Sequence, residues 1–296
     1  MQNKTKAIIA FVIAAFGYST ISNFGKLLSQ YLTSFDVVLA RIVIGVVIAI
    51  GLLLALGEKI EFPKKDRLKI FLMGFFGFGI MTTFFMTAVY FTSVANAAFL
   101  VSLHPITAIL LSYKKIKKRI WNYIAFAVVS LVGVSLLIGF SRISTFSELM
   151  GCLFAVIASF AYGVYLVIGR DLRGEHSLGQ LVWLGIFAIP FLIITSAIFG
   201  NPSDFLSLGI IPWLYILGLA VFGTVIALGL PLYGLKHISA TSGSMITLLE
   251  PLFATFLAFL IFSDYPTMLS LIGGVLIIAG AALIIREDRK NENPTA

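Results

Sequence analysis

The sequence predicts an all-α membrane protein with ten transmembrane helices in two inverted five-helix repeats. Three observations predict it: too few charges to cover a watery surface, ten apolar runs of membrane-crossing length, and similarity between the two halves at a fixed offset. Of the 296 residues, 59% are hydrophobic and only 11% charged, and the mean hydropathy is +1.05. A soluble domain carries about 25% charged residues, so lipid must be the outer solvent. The net charge of +8 does not point to nucleic acid, because the basic residues sit in short connections between apolar runs, as membrane topology requires. The single Cys152 excludes a disulfide framework and reads as a packed thiol.

Crossing the hydrocarbon core takes about 20 mostly apolar residues. Ten such runs lie at about 7–28, 36–56, 70–91, 96–113, 120–140, 149–169, 180–199, 212–235, 241–262 and 266–285, with ends uncertain by a few residues. The first follows a short basic start, like a signal peptide, but it is too long for that and lacks a cleavage site. The polar tail from Arg286 to Ala296 reads as disordered. A backbone in lipid must satisfy its own hydrogen bonds, which makes the runs helices. The alternating ten-residue segments of a barrel are absent from the sequence.

Charge asymmetry orients the helices. With the N-terminus cytoplasmic, the inside holds Lys4, Lys6, Lys59, Lys64, Lys65, Arg67, Lys69, Lys114, Lys115, Lys117, Lys118, Arg119, Arg170, Arg173, Lys236, Arg286, Arg289 and Lys290, which is 18 of the 21 basic residues. The outside holds Lys26 and Arg142, and Arg41 falls within a span. The pattern predicts a multi-pass inner-membrane protein with both termini cytoplasmic.

The internal similarity has an offset of about 146. Residues 88–105 lie over 234–251, matching Gly77 with Gly223, Ser93 with Ser239 and Pro105 with Pro251. Earlier in the chain an offset of about 144 pairs Tyr18 with Tyr162 and Gly25-Lys26 with Gly169-Arg170. Matched Gly, Ser and Pro carry the weight, since each punctuates helix geometry. The repeats are placed at 1–145 and 146–296. Five spans per half is odd, so the halves insert with opposite orientation, the arrangement from which many secondary transporters build two exchangeable states around a midplane site.

These features resemble EamA-type domains of the drug/metabolite transporter superfamily, over nearly the whole chain. The resemblance rests on the ten spans, the five-plus-five repeat, the polar turns Thr92–Asn96 and Ile238–Ser242, each leading into a helix that ends near Pro105 or Pro251, and Arg41 in the second span. The chain departs from many members after span 4, where Tyr113-Lys114-Lys115 stands, and after span 9, with Ser263-Asp264, in place of Gly-Glu. The resemblance implies metabolite transport without ATP, through a cavity lined by spans 1, 3, 4, 6, 8 and 9, with spans 5 and 10 outside it.

Ionisable groups inside spans are expensive and default to functional candidates. Glu250 stands before Pro251, where a freed carbonyl and a carboxylate could bind an ammonium group or carry a proton; internal pairing or hydration is the alternative. His104 takes the matching place before Pro105, as a proton switch or a structural histidine. Arg41 could grip a substrate carboxylate through its planar fork, or snorkel to the outer interface, or pair with Asp36. Tyr18 and Tyr162 are symmetric, with Tyr165 one turn on. Tyr90, Trp183 and Tyr233 add further polar-tipped rings, for stacking on substrate or for packing and interfacial anchoring. Asn96 and Ser242 read as N-caps, and Lys26 as an interfacial lysine.

Nothing in the sequence reads as an enzyme, a metal site or a cofactor site: it has no Walker-type loop and no metal-spaced His/Cys cluster. A channel is disfavoured for want of a filter-like segment or charge ring. The expected function is secondary transport of small polar or zwitterionic metabolites across the inner membrane by alternating access, as an exporter of amino acids or related compounds, with protons as a candidate coupling ion. The alternatives are an importer of a cationic or nucleoside-like nutrient, or a lipid-related flippase.

Overall fold

The computed structural model describes residues 2–57, 66–116, 120–138, 144–172, 177–263 and 265–292. Among them, nine helices are long and apolar enough to cross a membrane, and a shorter apolar stretch, Asn96–Leu111, adds to these. Long helices form because apolar runs of this length leave no other way to satisfy the backbone in lipid. Eight of the nine are α1 (Gln2–Leu28), α2 (Ser34–Ala55), α3 (Arg67–Phe91), α6 (Ile120–Ile138), α7 (Phe146–Asp171), α8 (Ser177–Phe199), α9 (Ile210–Gly234) and α12 (Met268–Glu292), and the remaining one is Ala240–Ile261. The fourth and ninth spans are each two helices in line: α4 (Val94–Val101) with α5 (His104–Leu111), and α10 (Ala240–Thr247) with α11 (Glu250–Phe262). The sequence predicted each of these as one continuous run. The tail expected to be disordered continues α12 to Glu292, a helical end that suits basic residues against the macrodipole. Asn122 of α6 donates to Glu287 of α12 at 3.0 Å.

Packing respects the internal symmetry. α2 lies against α8, and α6 against α12. α1 lies against α9, as its counterpart α7 lies against α3. The α6–α12 pair approaches backbone to backbone at Gly133 and Gly273: a Cβ on Gly133 would stand 2.7 Å from the Gly273 carbonyl. Small residues at the crossing are what van der Waals packing in lipid favours.

Alternate crossings leave both termini at one end of the bundle, here the terminal end. The 29–33, 92–93 and 200–209 connections lie at the opposite, far end. Of the lysines and arginines that set the predicted orientation, Lys59, Lys64, Lys65, Lys117, Lys118, Arg119, Arg142 and Arg173 lie outside the described residues.

A polar clasp joins the repeats at the far end, and a second one lies within the second repeat at the terminal end. At the far end Asp36, fully buried, accepts from Ser196 Oγ at 2.5 Å, the Asn201 amide at 2.7 Å and Thr33 Oγ1 at 2.7 Å. It fastens the start of α2 to the end of α8. At the terminal end Arg170 Nη1 donates to the Leu235 and Lys236 carbonyls, at 3.0 and 3.3 Å. Asp36→Ala leaves buried donors unsatisfied, and hydrogen bonds to a charged group contribute about 1.5–3 kcal/mol each. The purified variant is therefore expected to melt roughly 5–10 °C lower in detergent, and Asp36→Asn less so. A melting temperature equal to wild type for Asp36→Ala would show that the clasp holds nothing.

Candidate functional site

The two broken spans generate the site. After Val101 the chain turns through i→i−3 bonds, Leu103 N–H to Leu100 O at 3.2 Å and Ile106 N–H to Leu103 O at 2.9 Å. After Thr247 it does the same, Leu248 N–H to Met245 O at 3.3 Å and Leu249 N–H to Ile246 O at 3.1 Å. Pro105 and Pro251 then sit in the first turn of the following helix, where a missing N–H is no loss. The prolines open α5 and α11 rather than close a longer helix. His104 and Glu250 consequently become matched first residues of these half-helices. The half-helices before them start on N-caps Ser93 and Ser239, whose hydroxyls accept from the Asn96 and Ser242 amides at 3.1 and 3.0 Å. Asn96 and Ser242, expected as the caps, are the N3 residues, because both helices begin earlier than the polar pattern suggested.

His104 is 2% exposed and ties one break to the other. Its Nδ1 lies 2.9 Å from the Val101 carbonyl, and its Nε2 lies 3.0 Å from the Ser244 carbonyl and 2.9 Å from Thr247 Oγ1. A neutral ring protonated on Nδ1 donates to Val101 and accepts at Nε2 from the Thr247 hydroxyl. A doubly protonated ring donates to both carbonyls. Either form is fully hydrogen-bonded.

Against His104 packs a layer of tyrosines from the two repeats. The Tyr162 ring lies 4.6 Å from that of His104, 5.4 Å from Tyr18 and 6.0 Å from Tyr165, centroid to centroid. All three tyrosines are buried. Tyr165 donates to the Leu228 carbonyl at 2.8 Å, whereas the Tyr18 hydroxyl faces that of Tyr162, and Tyr162 faces Thr247, without a well-formed hydrogen bond among the described residues. Glu250 is half-buried and lies within electrostatic range of Tyr18 and Tyr162. Its carboxylate has neither a hydrogen bond nor an ion pair among the described residues.

Arg41 is fully buried, which corrects the interfacial alternative: the side chain does not snorkel. Nor does it pair with Asp36, whose oxygens are committed to Ser196, Asn201 and Thr33. Arg41 Nη1 donates instead to the Gly223 carbonyl at 3.3 Å. That carbonyl is free for a local reason. α9 widens into a π-helix over Leu219–Ile226, and the Ala227 amide bonds to the Phe222 and Thr224 carbonyls, passing over its α-helical partner Gly223. α3 contains the equivalent π segment, Gly74–Met81. There the Thr82 amide bonds to Gly79, and the Thr82 hydroxyl itself caps the carbonyl passed over, that of Phe78. Both π segments receive a side chain from the other repeat on their matched glycine. Tyr165 lies against Gly77, and Ile21 lies against Gly223.

The structure therefore gathers Tyr18, Tyr162, Tyr165 and His104 into one layer, with Glu250 and Arg41 in electrostatic range of Tyr18. It does not bring Tyr90, Trp183 or Tyr233 there. Tyr90 donates to the Leu32 carbonyl at 3.1 Å and lines a cavity of about 1090 Å³ at the far end, with Thr83, Phe84, Phe154, Phe191 and Thr195. Among the described residues no lysine or arginine lines that cavity, and α8 takes part in its wall. Trp183 packs on Phe187 of its own helix, and Tyr233 on His237 near the terminal end. Sequence reasoning missed Thr247, Thr224 and the clasp at Asp36. The matched Gly77 and Gly223 were the signal that could have found the π segments. Among the described residues no group of three or more metal-ligating side chains occurs.

The model of the EamA-like transporter family matches twice, over residues 5–139 and 149–286. An uncharacterized transporter from Clostridium kluyveri is 25% identical over 298 residues, covering 96% of this chain and 94% of its own. The uncharacterized transporter YxxF of Bacillus subtilis is 27% identical, covering 100% of this chain and 94% of its own. A solved crystal structure superposes with a TM-score of 0.79 at 20% identity, covering 97% of this chain and 99% of that one, which shows that the fold is shared.

Proposed function

Because this chain belongs to the EamA-like transporter family, of the drug/metabolite transporter superfamily, we propose that it is a secondary transporter of small polar or zwitterionic organic metabolites that works by alternating access and exports amino acids or related compounds. It is a multi-pass membrane protein. We place it in the inner membrane with the terminal end cytoplasmic, on the charge asymmetry of its connections.

One observation carries the reading: an interior polar layer built from both repeats beside their matched helix breaks. Tyr18 and Tyr162 hydroxyls with only each other and Thr247 in reach, a carboxylate and a guanidinium are costly in lipid, with a charge at helix centre costing about 2.5–3.5 kcal/mol by insertion. A polar solute that exchanges its water for these groups would offset that cost. Half-helices and π segments repeated with inverted orientation would supply two related closures, one at each end, around such a midplane site.

The test is counterflow in proteoliposomes. Vesicles loaded with one unlabelled compound of a metabolite panel are expected to accumulate the same labelled compound transiently above its outside concentration, with an amino acid or close analogue giving the largest overshoot. A carrier that exchanges one bound solute at a time produces the overshoot, whereas a channel does not. Flux without overshoot overturns alternating access. Overshoot confined to nucleosides or organic cations favours the importer alternative.

A further inference from the structure

We propose that Arg41 is the docking site for a carboxylate group of the transported solute, held side-on at Nε and Nη2, with the Gly223 carbonyl as the positioning group. The proposal rests on the transport reading for its solute, and it names the chemistry that the solute must carry.

The guanidinium is planar, permanently charged and presents donors on fixed edges. Nη1 is the nitrogen on the Cδ side, and it is the one bonded to Gly223. Nε and Nη2 share the opposite edge, the edge that grips two oxygens of one carboxylate. Both are buried, and neither has a partner. A buried cation whose pairing edge is empty has no structural partner among the described residues. Asp36, one turn earlier in α2, is consumed by the far-end clasp.

Two further hydroxyls belong to the neighbourhood, that of Thr224 without a hydrogen bond among the described residues and that of Tyr18, which faces Tyr162. Thr224, which follows Gly223, packs on Gly45, one turn from Arg41. Tyr18 lies within electrostatic range of Arg41. Spans 2 and 8 thus contribute one charged fork and one hydroxyl that nothing among the described residues satisfies, with the span 1 hydroxyl of Tyr18 in electrostatic range. A planar monoanion matches this set. A phosphate-like dianion does not, since one arginine supplies one charge and Glu250 lies in range of the same Tyr18.

The difference between the two π segments shows how the fork is kept open. The carbonyl passed over in α3 is capped within its own helix, by Thr82. Its counterpart in α9 has no such hydroxyl, and it pins one corner of Arg41. A Cβ at residue 223 would stand 3.1 Å from Nη1 and 3.0 Å from Ile21 Cγ1, pressing the guanidinium off its anchor.

The experiment measures the melting temperature of the full-length purified protein against acetate, acetamide, chloride and methylphosphonate at matched ionic strength. Acetate is small enough to test the fork whatever the rest of the solute. Acetate is expected to raise the melting temperature of the wild type, while the other three do not. Arg41→Lys keeps the charge but loses the fork, and is expected to need roughly ten- to a hundredfold more acetate for the same effect, as is fitting for lost charge-assisted bonds. Gly223→Ala is expected to raise the half-effective acetate concentration about tenfold. Equal stabilisation by acetate and acetamide, or by acetate and chloride, overturns the proposal, as does an acetate effect unchanged in Arg41→Lys. Counterflow is scored separately. Acetate binding without any metabolite counterflow sinks the transport reading and leaves the fork standing, and counterflow of solutes lacking a carboxylate does the reverse.

Discussion

Glu250→Gln is expected to reach the membrane folded and to lose at least about tenfold in counterflow, equivalent to roughly 1.4 kcal/mol on the rate-limiting barrier. The substitution keeps volume and hydrogen-bonding shape and removes only the capacity to ionise. Glu250 opens α11 beside Pro251 and has no hydrogen bond or ion pair among the described residues, so no internal pairing is broken by the change. A structural carboxylate would betray itself differently. Its loss would lower the melting temperature, because a buried partner would be left unsatisfied. Here the melting temperature is expected to stay level or rise, since an uncompensated charge leaves the membrane interior. Flux that remains also loses its dependence on pH between about 5 and 8, if the carboxylate carries the coupling proton. Wild-type counterflow throughout that range would show that Glu250 is not on the transport path.

The matched positions of Glu250 and His104 were legible because proline marks them. The proline rule, read with the repeat offset, places both residues at one depth in opposite halves. The helix breaks themselves were not legible. Leu248-Leu249 is as apolar as its surroundings and a single Ser102 does not mark a turn, and hydropathy is blind to a turn made by i→i−3 bonds within a greasy run. The π segments were equally silent, for a π-helix differs from an α-helix in which carbonyl an amide selects rather than in composition. Facing was the third gap. Tyr18, Tyr90 and Tyr233 look alike in sequence, yet Tyr18 enters the central layer, Tyr90 the far-end cavity and Tyr233 the neighbourhood of His237. Arg41 stands few enough residues into its span for snorkelling to be sterically open, and only the packing of α2 against α9 and α8 closes that route. The positive-inside count and the repeat offset, by contrast, are properties of the whole chain and survive errors of several residues at any boundary.

Gly77→Ala is expected to destabilise the protein by about 2–5 kcal/mol, although alanine is the better helix former by roughly 0.5–1 kcal/mol. A Cβ at residue 77 would overlap the ring of Tyr165, and that ring cannot simply swing away. Its hydroxyl is anchored on the Leu228 carbonyl, its face packs against Tyr162, and it is fully buried. Relief must therefore come from breaking a buried hydrogen bond, straightening the π segment of α3 or separating α3 from α7, and each of these disturbs the tyrosine layer. Two other glycines provide the comparison. Gly79 lies in the same π segment, but a Cβ there meets the Phe191 ring only at 3.2 Å, so Gly79→Ala is expected to change stability by less than about 1 kcal/mol. Gly51 lies in α2, and a methyl group there would meet nothing within 4 Å, so Gly51→Ala is expected to stabilise by the helix-propensity increment alone. The order of melting temperatures should be Gly51→Ala highest, then wild type and Gly79→Ala together, then Gly77→Ala well below. Counterflow at a temperature where all four proteins are folded should fall in Gly77→Ala alone, because Tyr165 carries the disturbance into the layer that includes Tyr162 and His104. If Gly77→Ala melts with the wild type, the close seating of Tyr165 on α3 is not what holds the two repeats together at this level.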